Sequence, residues 1–274
     1  MLKSRVITAV ILLLLFLSAL FTLPDTGWTV LVCVIVLQSA SEWSRLAQFS
    51  AKYANAFWWL TLLIWLGLIW FDDSQAAEQK MFAHIFFYAL SAILWLAIVP
   101  AWLLAGWQVK RPLLMVLVGW AVLIPTGLAM LDLRLDHPWW LLSIMSLVWV
   151  ADIAAYFAGR RFGKNKLAPM ISPGKTWEGL VGAMLGVSVC IVLVWAFSPY
   201  ADQYVLLPSL LLAGCCWVGL AVIGDLFESA IKRQAGVKDS GALLPGHGGL
   251  LDRIDALTST LPIAALAMLL QRLP

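Results

Sequence analysis

"PLLMVLVGWAVLIPTGLAML", residues 112–131, contains no charged side chain. A helix of about 20 residues crosses the roughly 30 Å of hydrocarbon in a bilayer, so this stretch is long enough to span a membrane. In the whole chain of 274 residues, 62% are hydrophobic and 12% are charged, whereas soluble domains carry about 25% charged residues. So little polar surface cannot cover a water-soluble globule of this size. We therefore expect an all-α, polytopic integral membrane protein.

The apolar runs predict about nine transmembrane helices in a single integral-membrane domain, residues 1–274. The predicted spans are about 6–23, 27–44, 56–71, 84–105, 112–131, 139–158, 180–197, 205–224 and 254–270. The first run is long and lacks the small-residue cleavage pattern of a signal peptide, so we expect it to be retained. Residues 1–150 are predicted to be mainly scaffold. Residues 150–274 are predicted to be the catalytic part, with polar loops at 159–179 and 225–253.

The distribution of basic residues predicts the orientation. With a cytoplasmic N-terminus, only Lys80, Arg134 and Arg272 of the 18 Lys and Arg residues fall outside. Lys and Arg concentrate in cytoplasmic loops of membrane proteins. We therefore expect a multi-pass protein of the cell (inner) membrane with both polar loops in the cytoplasm. The net charge of +3 follows from this bias and gives no reason to expect nucleic acid as a partner.

Two acidic residues near the cytoplasmic ends of spans have open roles. Glu42 lies beside Trp43 at the end of span two, where either a helix-end salt bridge or a contact to the functional site is consistent with the sequence. Asp152 shares a helix face with Tyr156 in span six and could serve only to join helices. Carboxylates in a membrane are costly, so both residues are of interest.

"SPGKTWEG", residues 172–179, resembles a phosphate-binding P-loop only superficially. The P-loop pattern requires glycine where this chain has Pro169, and it follows a strand, which we do not predict here. The Gly-Lys-Thr sequence is therefore not a P-loop.

The same segment nevertheless contains the ingredients of an anion site. Ser172 or Thr176 can cap the helix that follows, and the first amides of that helix point toward an anion beside Lys175. Thr176 with Glu178 also marks a helix start, so a capping turn without a ligand is the alternative.

The segment after span eight combines acidic, basic and glycine residues. Asp225, Glu228 and Lys232 follow helical spacing and are predicted to share one face of a helix that continues out of the span. Lys232, Arg233 and Lys238 extend positive charge into a polar loop. Its Gly-His-Gly-Gly sequence is predicted to be non-helical, because glycine costs a helix about 1 kcal/mol relative to alanine.

Asp252 and Asp255, three residues apart, are predicted to project from one side of the last helix, with Arg253 turned away by about 100°. Antiparallel spans eight and nine bring Asp225 and Asp252 side by side. Carboxylates at a membrane boundary require a cation, and Mg²⁺ is held by one or two carboxylates plus phosphate oxygens. A salt-bridge network with the loop lysines is the alternative. His247 has no second histidine or cysteine nearby, which argues against zinc.

"SAIKRQAGVKDSGALLPGHGGLLDRID", residues 229–255, resembles throughout the signature of the phosphatidate cytidylyltransferases, also called CDP-diacylglycerol synthases. The matching pattern is Ser-x-Ile-Lys-Arg, four residues, Lys-Asp-x-Gly, and then Leu-Pro-x-His-Gly-Gly-Leu-x-Asp-Arg-Ile-Asp. The upstream SPGKTWEG also resembles a motif of this family. The specific motifs lie within residues 150–255, whereas the likeness in hydropathy covers the whole chain.

The resemblance implies transfer of a cytidylyl group from CTP to phosphatidic acid, giving CDP-diacylglycerol and pyrophosphate at a membrane-lipid surface. It implies Mg²⁺ as cofactor, with a second cation, divalent or K⁺, left open, as is a homodimer. The expected catalytic residues are Asp225, Asp252, Asp255 and Lys232, and the three aspartates are the expected metal ligands. The expected substrate-binding residues are Ser172, Lys175, Thr176, Glu178, Ser229, Arg233, Lys238, Asp239, His247, Gly248, Gly249 and Arg253.

Two other classes of protein use comparable residues. A CDP-alcohol phosphotransferase also combines aspartates with a cytidine nucleotide, but its pattern spaces the last carboxylates by four, whereas Asp252 and Asp255 are three apart. An ion-coupled transporter places intramembrane aspartates near the membrane midplane. Here the acidic residues are predicted to cluster at one face, which disfavours a transporter.

Overall fold

The computed structural model describes residues 2–199, 201, 203–243 and 248–273, with side chains described from residue 10 onward. The helices are α1 (Leu2–Thr22), α2 (Asp25–Leu46), α3 (Ala51–Ser74), α4 (Ala77–Ile93), α5 (Val99–Ala105), α6 (Pro112–Asp136), α7 (Pro138–Phe162), α8 (Trp177–Ala196), α9 (Leu206–Gln234) and α10 (Leu251–Leu270). A π-helical segment, Leu94–Ile98, joins α4 to α5 without a break, and strands β1 (Lys166–Ala168) and β2 (Ser172–Thr176) lie between α7 and α8.

Within the described part of the chain, seven helices are long and apolar enough to cross a membrane. They are α3, the continuous segment from α4 to α5, and α6 to α10. This result confirms an all-α, polytopic membrane protein. The other two predicted spans correspond to α1 and α2, so nine crossings and a cytoplasmic N-terminus stay predictions.

Helices α6 and α10 form the centre of the bundle. Of the 18 most apolar consecutive residues in each helix, 61% are buried in α6 and 56% in α10, against 17% in α3 and in α8. Tryptophans of α2 pack against α6, and both of their indole N–H groups donate to backbone carbonyls of that helix. Trp28 Nε1 donates to the carbonyl oxygen of Met130 (3.1 Å), and Trp43 Nε1 donates to that of Met115 (2.9 Å). These bonds fix α2 along the length of α6.

One end of the bundle joins the first half of the chain to the second. The side-chain amide of Gln234, at the end of α9, donates to the carbonyl oxygen of Val109 (2.7 Å) and accepts from its N–H (2.9 Å). Gln48, just after α2, donates to the carbonyl oxygen of Ala235 (3.2 Å). These contacts place the C-terminal end of α9 beside residues that the sequence predicts to be cytoplasmic.

The opposite end of the bundle carries a second polar cluster. His84 lies between Asp132 (2.7 Å) and Asp72 (3.1 Å), and thereby joins α3, α4 and α6. The three basic residues predicted to lie outside each pair with an aspartate at this end; they are Lys80, Arg134 and Arg272. The helix ends therefore fall into two groups, as the alternating spans require. Which group faces the cytoplasm stays a prediction.

Neither predicted polar loop is a simple loop. Residues 159–162 complete α7, and β1 pairs antiparallel with β2 through Lys166↔Thr176 and Ala168↔Ser172. The hairpin was not predicted, because its strands are too short for a clear alternation of apolar and polar residues. Helix α9 continues to Gln234 and α10 begins at Leu251, so residues 225–234 and 251–253 of the second predicted loop are helical. Gly236, with φ of +72°, lies in the left-handed conformation that commonly ends a helix.

Helices α7 and α8 pack through small residues, as is common in membranes, where close backbone approach supplies the contact energy. A Cβ atom on Gly182 would lie 2.2 Å from the Cβ atom of Ala158, and one on Gly186 would lie 2.6 Å from that of Ala154. Any larger side chain at these glycines must separate the two helices.

We predict that Gly182→Val lowers the thermal unfolding temperature of the purified protein, because overpacking typically costs about 1–3 kcal/mol. Gly67→Val is the matched control. It introduces the same side chain into a helix, but no heavy atom outside the local helix backbone lies within 4 Å of a Cβ atom there. Equal shifts for the two variants would show that helix propensity, and not the α7–α8 contact, sets the loss.

Candidate functional site

Helices α9 and α10 touch at Gly224. A Cβ atom on this residue would lie 2.6 Å from Ser259 Oγ and 2.7 Å from the carbonyl oxygen of Asp255. The hydroxyl of Ser259 in turn donates to the carbonyl oxygen of Leu220 (2.8 Å). Only glycine allows this approach, which brings Asp225, the next residue, within electrostatic reach of Asp255.

A buried ion triad lies one turn further along α9. Lys232 Nζ is 2.6 Å from Glu228 Oε2 and 2.6 Å from Asp252 Oδ1. The side chains of the three residues are 12%, 6% and 6% exposed, so water does little to stabilise their charges. A single ammonium group therefore has to compensate two carboxylates that face each other across the helix interface.

Described residues between α9 and α10 contact the other carboxylate oxygen of Asp252. Asp252 Oδ2 accepts from the backbone N–H groups of Ser240 (2.8 Å) and Gly249 (2.8 Å), and Ser240 Oγ lies 3.0 Å away. Gly248 has a φ of +81°, and a Cβ atom there would lie 2.5 Å from this oxygen. Glycine is thus required at position 248 by close approach to the carboxylate, as well as by backbone conformation.

Asp225 joins α9 to the β1–β2 hairpin. Its Oδ2 atom lies 2.6 Å from Lys175 Nζ in β2, and its Oδ1 atom accepts from Ser229 Oγ at 3.2 Å. A second link is made by Arg233, whose Nε donates to the carbonyl oxygen of Ile171 (3.2 Å). The side chain of Asp225 is 32% exposed, so this carboxylate is open to a ligand from the aqueous side.

The hairpin resolves the choice between the two predicted capping residues. Thr176 is the N-cap of α8, and its Oγ1 accepts from the N–H of Gly179 (3.1 Å), whereas Ser172 lies in β2. Both carboxylate oxygens of Glu178 accept from the backbone N–H of Asn165 at 3.2 Å. Glu178, predicted to bind substrate, therefore stabilises the start of the hairpin.

The remaining residues that were predicted to bind substrate differ in their exposure to solvent. Lys238, Asp239 and Arg253 are exposed, and Arg253 is within electrostatic reach of Asp152. Gly249 is buried against Ser240. His247 lies outside the described residues, so its predicted role has no structural counterpart here.

Glu42 on α2 belongs to this site, although the sequence left its role open. Its side chain is fully buried, and its oxygens accept from the backbone N–H groups of Leu250 (2.9 Å) and Leu251 (2.8 Å). Ser240 Oγ donates to it at 2.8 Å, and Gln38 donates at 3.0 Å. The only signal in the sequence was the cost of a carboxylate at the end of an apolar span.

The donor atoms suit a hard cation. Glu228 Oε1 is buried with no hydrogen-bond partner among the described residues, and this carboxylate is within electrostatic reach of Asp225 and Asp252. No group of three or more His, Cys, Asp and Glu side chains in the described ranges is arranged to hold a metal ion by itself. Mg²⁺, however, is usually held by only one or two carboxylates together with water and substrate phosphates. Oxygen donors of this kind fit Mg²⁺ once a phosphate is present.

Apolar helices and a charged site at one end of their bundle define a multi-pass membrane protein with the residues needed for phosphate chemistry. The chain belongs to the Cytidylyltransferase family, whose sequence profile matches residues 3–271. It is 34% identical to the phosphatidate cytidylyltransferase of Haemophilus influenzae, with 96% of each chain covered. It is 35% identical to that of Pseudomonas aeruginosa, over 97% of this chain and 96% of the relative. For the protein of the same name from Brucella suis the identity is 36%, over 98% of this chain and 92% of the relative.

We predict that Lys232→Met lowers the thermal unfolding temperature markedly, because it leaves Glu228 and Asp252 without their shared cation. Removing one partner of a buried ion pair typically costs about 3–5 kcal/mol. The double variant Lys232→Met/Glu228→Gln should recover part of the loss, since one of the two uncompensated charges is gone. Lys238→Met, at an exposed position, is the control. If Lys232→Met were as stable as the wild type, the triad would not support the fold.

Proposed function

We propose that this protein transfers the cytidylyl group of CTP to phosphatidic acid, forming CDP-diacylglycerol and pyrophosphate for phospholipid biosynthesis. The observation that carries the proposal is the arrangement of the described residues within 229–255. Lys232, Ser240 and Gly249 all contact the carboxylate of Asp252 at one end of an apolar bundle. The three relatives reported above align with at least 96% of the chain, so the similarity is not confined to the motif.

The reaction needs positioning and charge neutralisation more than it needs a base. An oxygen of the phosphatidic acid phosphate bonds to the α-phosphorus of CTP, the bond from that phosphorus to the bridging oxygen breaks, and pyrophosphate leaves. The attacking phosphate is already an anion, so no proton has to be removed. The difficulty is to bring two anions together, and fixed cations reduce that cost.

The chain supplies these cations from several elements. Lys175 comes from the hairpin and Lys232 and Arg233 from α9, and all three are tied to neighbouring groups in the described residues. Arg253 adds an exposed guanidinium at the start of α10. The first amides of α8, after the Thr176 cap, favour an anion near Lys175. In this proposal these groups bind the phosphates, and the glycine connection lets backbone N–H groups approach them.

We assign Asp225 and Asp252 as ligands of Mg²⁺, with Asp255 beside them, because these carboxylates come from facing helices. When bound, the ion neutralises phosphate charge and polarises the phosphorus–oxygen bond that breaks. Asp225 is the more accessible ligand, since Asp252 already accepts bonds from Lys232 and from two backbone amides. A second cation, divalent or K⁺, stays a prediction.

The proposal places the site at the cytoplasmic face of the inner membrane. CTP is a cytosolic solute, whereas the phosphate of phosphatidic acid lies at headgroup depth, so the two substrates meet only at that boundary. The charged residues lie at one end of α9 and α10, which is consistent with this location and disfavours an ion-coupled transporter with a midplane site. Association into a homodimer stays a prediction.

We predict that Asp225→Asn and Asp252→Asn each lose nearly all cytidylyl transfer, because the carboxamide is nearly isosteric but uncharged. Purified variants are assayed with labelled CTP and phosphatidic acid across a Mg²⁺ titration, alongside thermal unfolding. Asp73→Asn, an exposed change at the far end of α3, should keep wild-type activity. Normal turnover with an unchanged Mg²⁺ requirement in either site variant would remove that residue from the proposed metal site.

We also predict that Gly174→Cys and Ala242→Cys, in a chain whose four native cysteines are replaced by alanine, resist a membrane-impermeant thiol reagent on intact cells. Both positions are exposed, so the reagent should label them once the membrane is permeabilised. Ser74→Cys, at the opposite end of the bundle, should react without permeabilisation. Labelling of position 174 or 242 in intact cells would reverse the proposed orientation.

A further inference from the structure

Glu42 links the first half of the chain to the segment that carries Asp252. It lies on α2, and its side chain is 0% exposed. Its partners Leu250 and Leu251 are 208 and 209 residues away in sequence. Gln38 on the same helix donates to it (3.0 Å), but the other donors come from residues about 200 positions away, so the tertiary structure holds this buried carboxylate.

The carboxylate of Glu42 caps the N-terminus of α10. The first N–H groups of a helix have no partner within it, and the residue at the N-cap position, Leu250, has no side chain that could accept from them. Glu42 Oε1 accepts from the N–H of Leu250 and Oε2 accepts from that of Leu251. A negative charge at this end is also favoured by the helix dipole.

Ser240 connects Glu42 to Asp252. Its Oγ atom lies 2.8 Å from Glu42 Oε2 and 3.0 Å from Asp252 Oδ2, so one hydroxyl proton serves two carboxylates. The backbone N–H of Ser240 donates to Asp252 as well. A shift of Ser240 would therefore change the position of both acidic side chains.

The surrounding glycines show how tightly the segment is packed on Glu42. A Cβ atom on Gly249 would lie 2.3 Å from Glu42 Oε2, and one on Gly241 would lie 3.0 Å from Oε1. The backbone at Gly241 and at Gly249 thus lies in close contact with this carboxylate.

We propose that Glu42 is a positioning residue. It holds Ser240, Leu250 and Leu251 so that the carboxylate of Asp252 is directed toward Lys232. Glu42 itself is enclosed and acts through Asp252. The kinetic part of this inference rests on the proposed function, whereas the structural part does not.

The test uses Glu42→Gln, which preserves size. The side-chain amide nitrogen cannot accept a hydrogen bond, so in either orientation it faces the N–H of Leu250 or of Leu251. The matched control is Asp132→Asn, a carboxylate that accepts from Tyr88 Oη (2.7 Å) and contacts His84 Nδ1 (2.7 Å). Asp132 lines the same cavity as Met268, and Met268 is about 24 Å along α10 from Asp252 at 1.5 Å per residue.

Amide hydrogen exchange of the detergent-solubilised full-length variants gives a readout that is independent of activity. In Glu42→Gln we expect peptides containing Leu250 and Leu251 to exchange about tenfold faster than in the wild type, since a bond to a charged acceptor is lost. In Asp132→Asn these peptides should exchange as in the wild type. Unchanged exchange in Glu42→Gln, or equal acceleration in both variants, would overturn the inference.

The kinetic readout is cytidylyl transfer from CTP to phosphatidic acid. We expect Glu42→Gln to lower kcat about ten- to a hundredfold, as is typical when a residue that orients a functional carboxylate is changed. The KM for CTP should change little, and Asp132→Asn should keep its kcat. Normal kcat in Glu42→Gln would overturn the positioning role. Inactive wild-type protein would instead count against the proposed function, with the exchange experiment still decisive for Glu42.

Discussion

Lys232 is the charge on which the packing of α9 against α10 depends. It lies between Glu228 and Asp252, and all three side chains are largely removed from water. Neither carboxylate could remain buried at the end of an apolar bundle without it, since an unpaired charge there is strongly unfavourable. The ammonium group of Lys232 on α9 also contacts the carboxylate of Asp252 on α10, so this ion pair fixes the position of one helix relative to the other. Gly224 permits the close approach that this pairing requires.

The first 150 residues do more than provide an apolar scaffold. Phe227 of α9 inserts among Trp43, Trp95 and Trp102, with ring centroids 5.4–6.4 Å apart. The next residue, Glu228, belongs to the charged face of α9 that also carries Asp225 and Lys232. Together with the capping of α10 by Glu42, this packing holds the catalytic helices from the N-terminal side. The two parts of the chain on either side of residue 150 therefore differ in composition, but residues of both parts contribute to the site.

Membership of the Cytidylyltransferase family accounts for the kind of residues found at the site. Transfer between two phosphates demands neutralisation of like charges, and the described residues offer lysines and arginines from the hairpin, α9 and α10. Two of these cations are paired with carboxylates in the protein alone, Lys175 with Asp225 and Lys232 with Glu228 and Asp252. Such pairs compensate the charges where they are largely removed from water. A transporter with ion ligands at the midplane would not need this concentration at one end.

The sequence alone determined the membrane class, most helix positions and the family, because the apolar runs and the 229–255 motif are local patterns. It also placed Asp225, Glu228 and Lys232 on one helix face, since helical spacing is fixed by backbone geometry. The tertiary structure alone decided that Lys232 pairs with Asp252, that Lys175 reaches Asp225, and that Thr176 caps α8. It also placed Glu42 over the start of α10, some 200 residues away in sequence. Such pairings depend on which helices meet and at what distance, and no periodicity in the sequence encodes that distance.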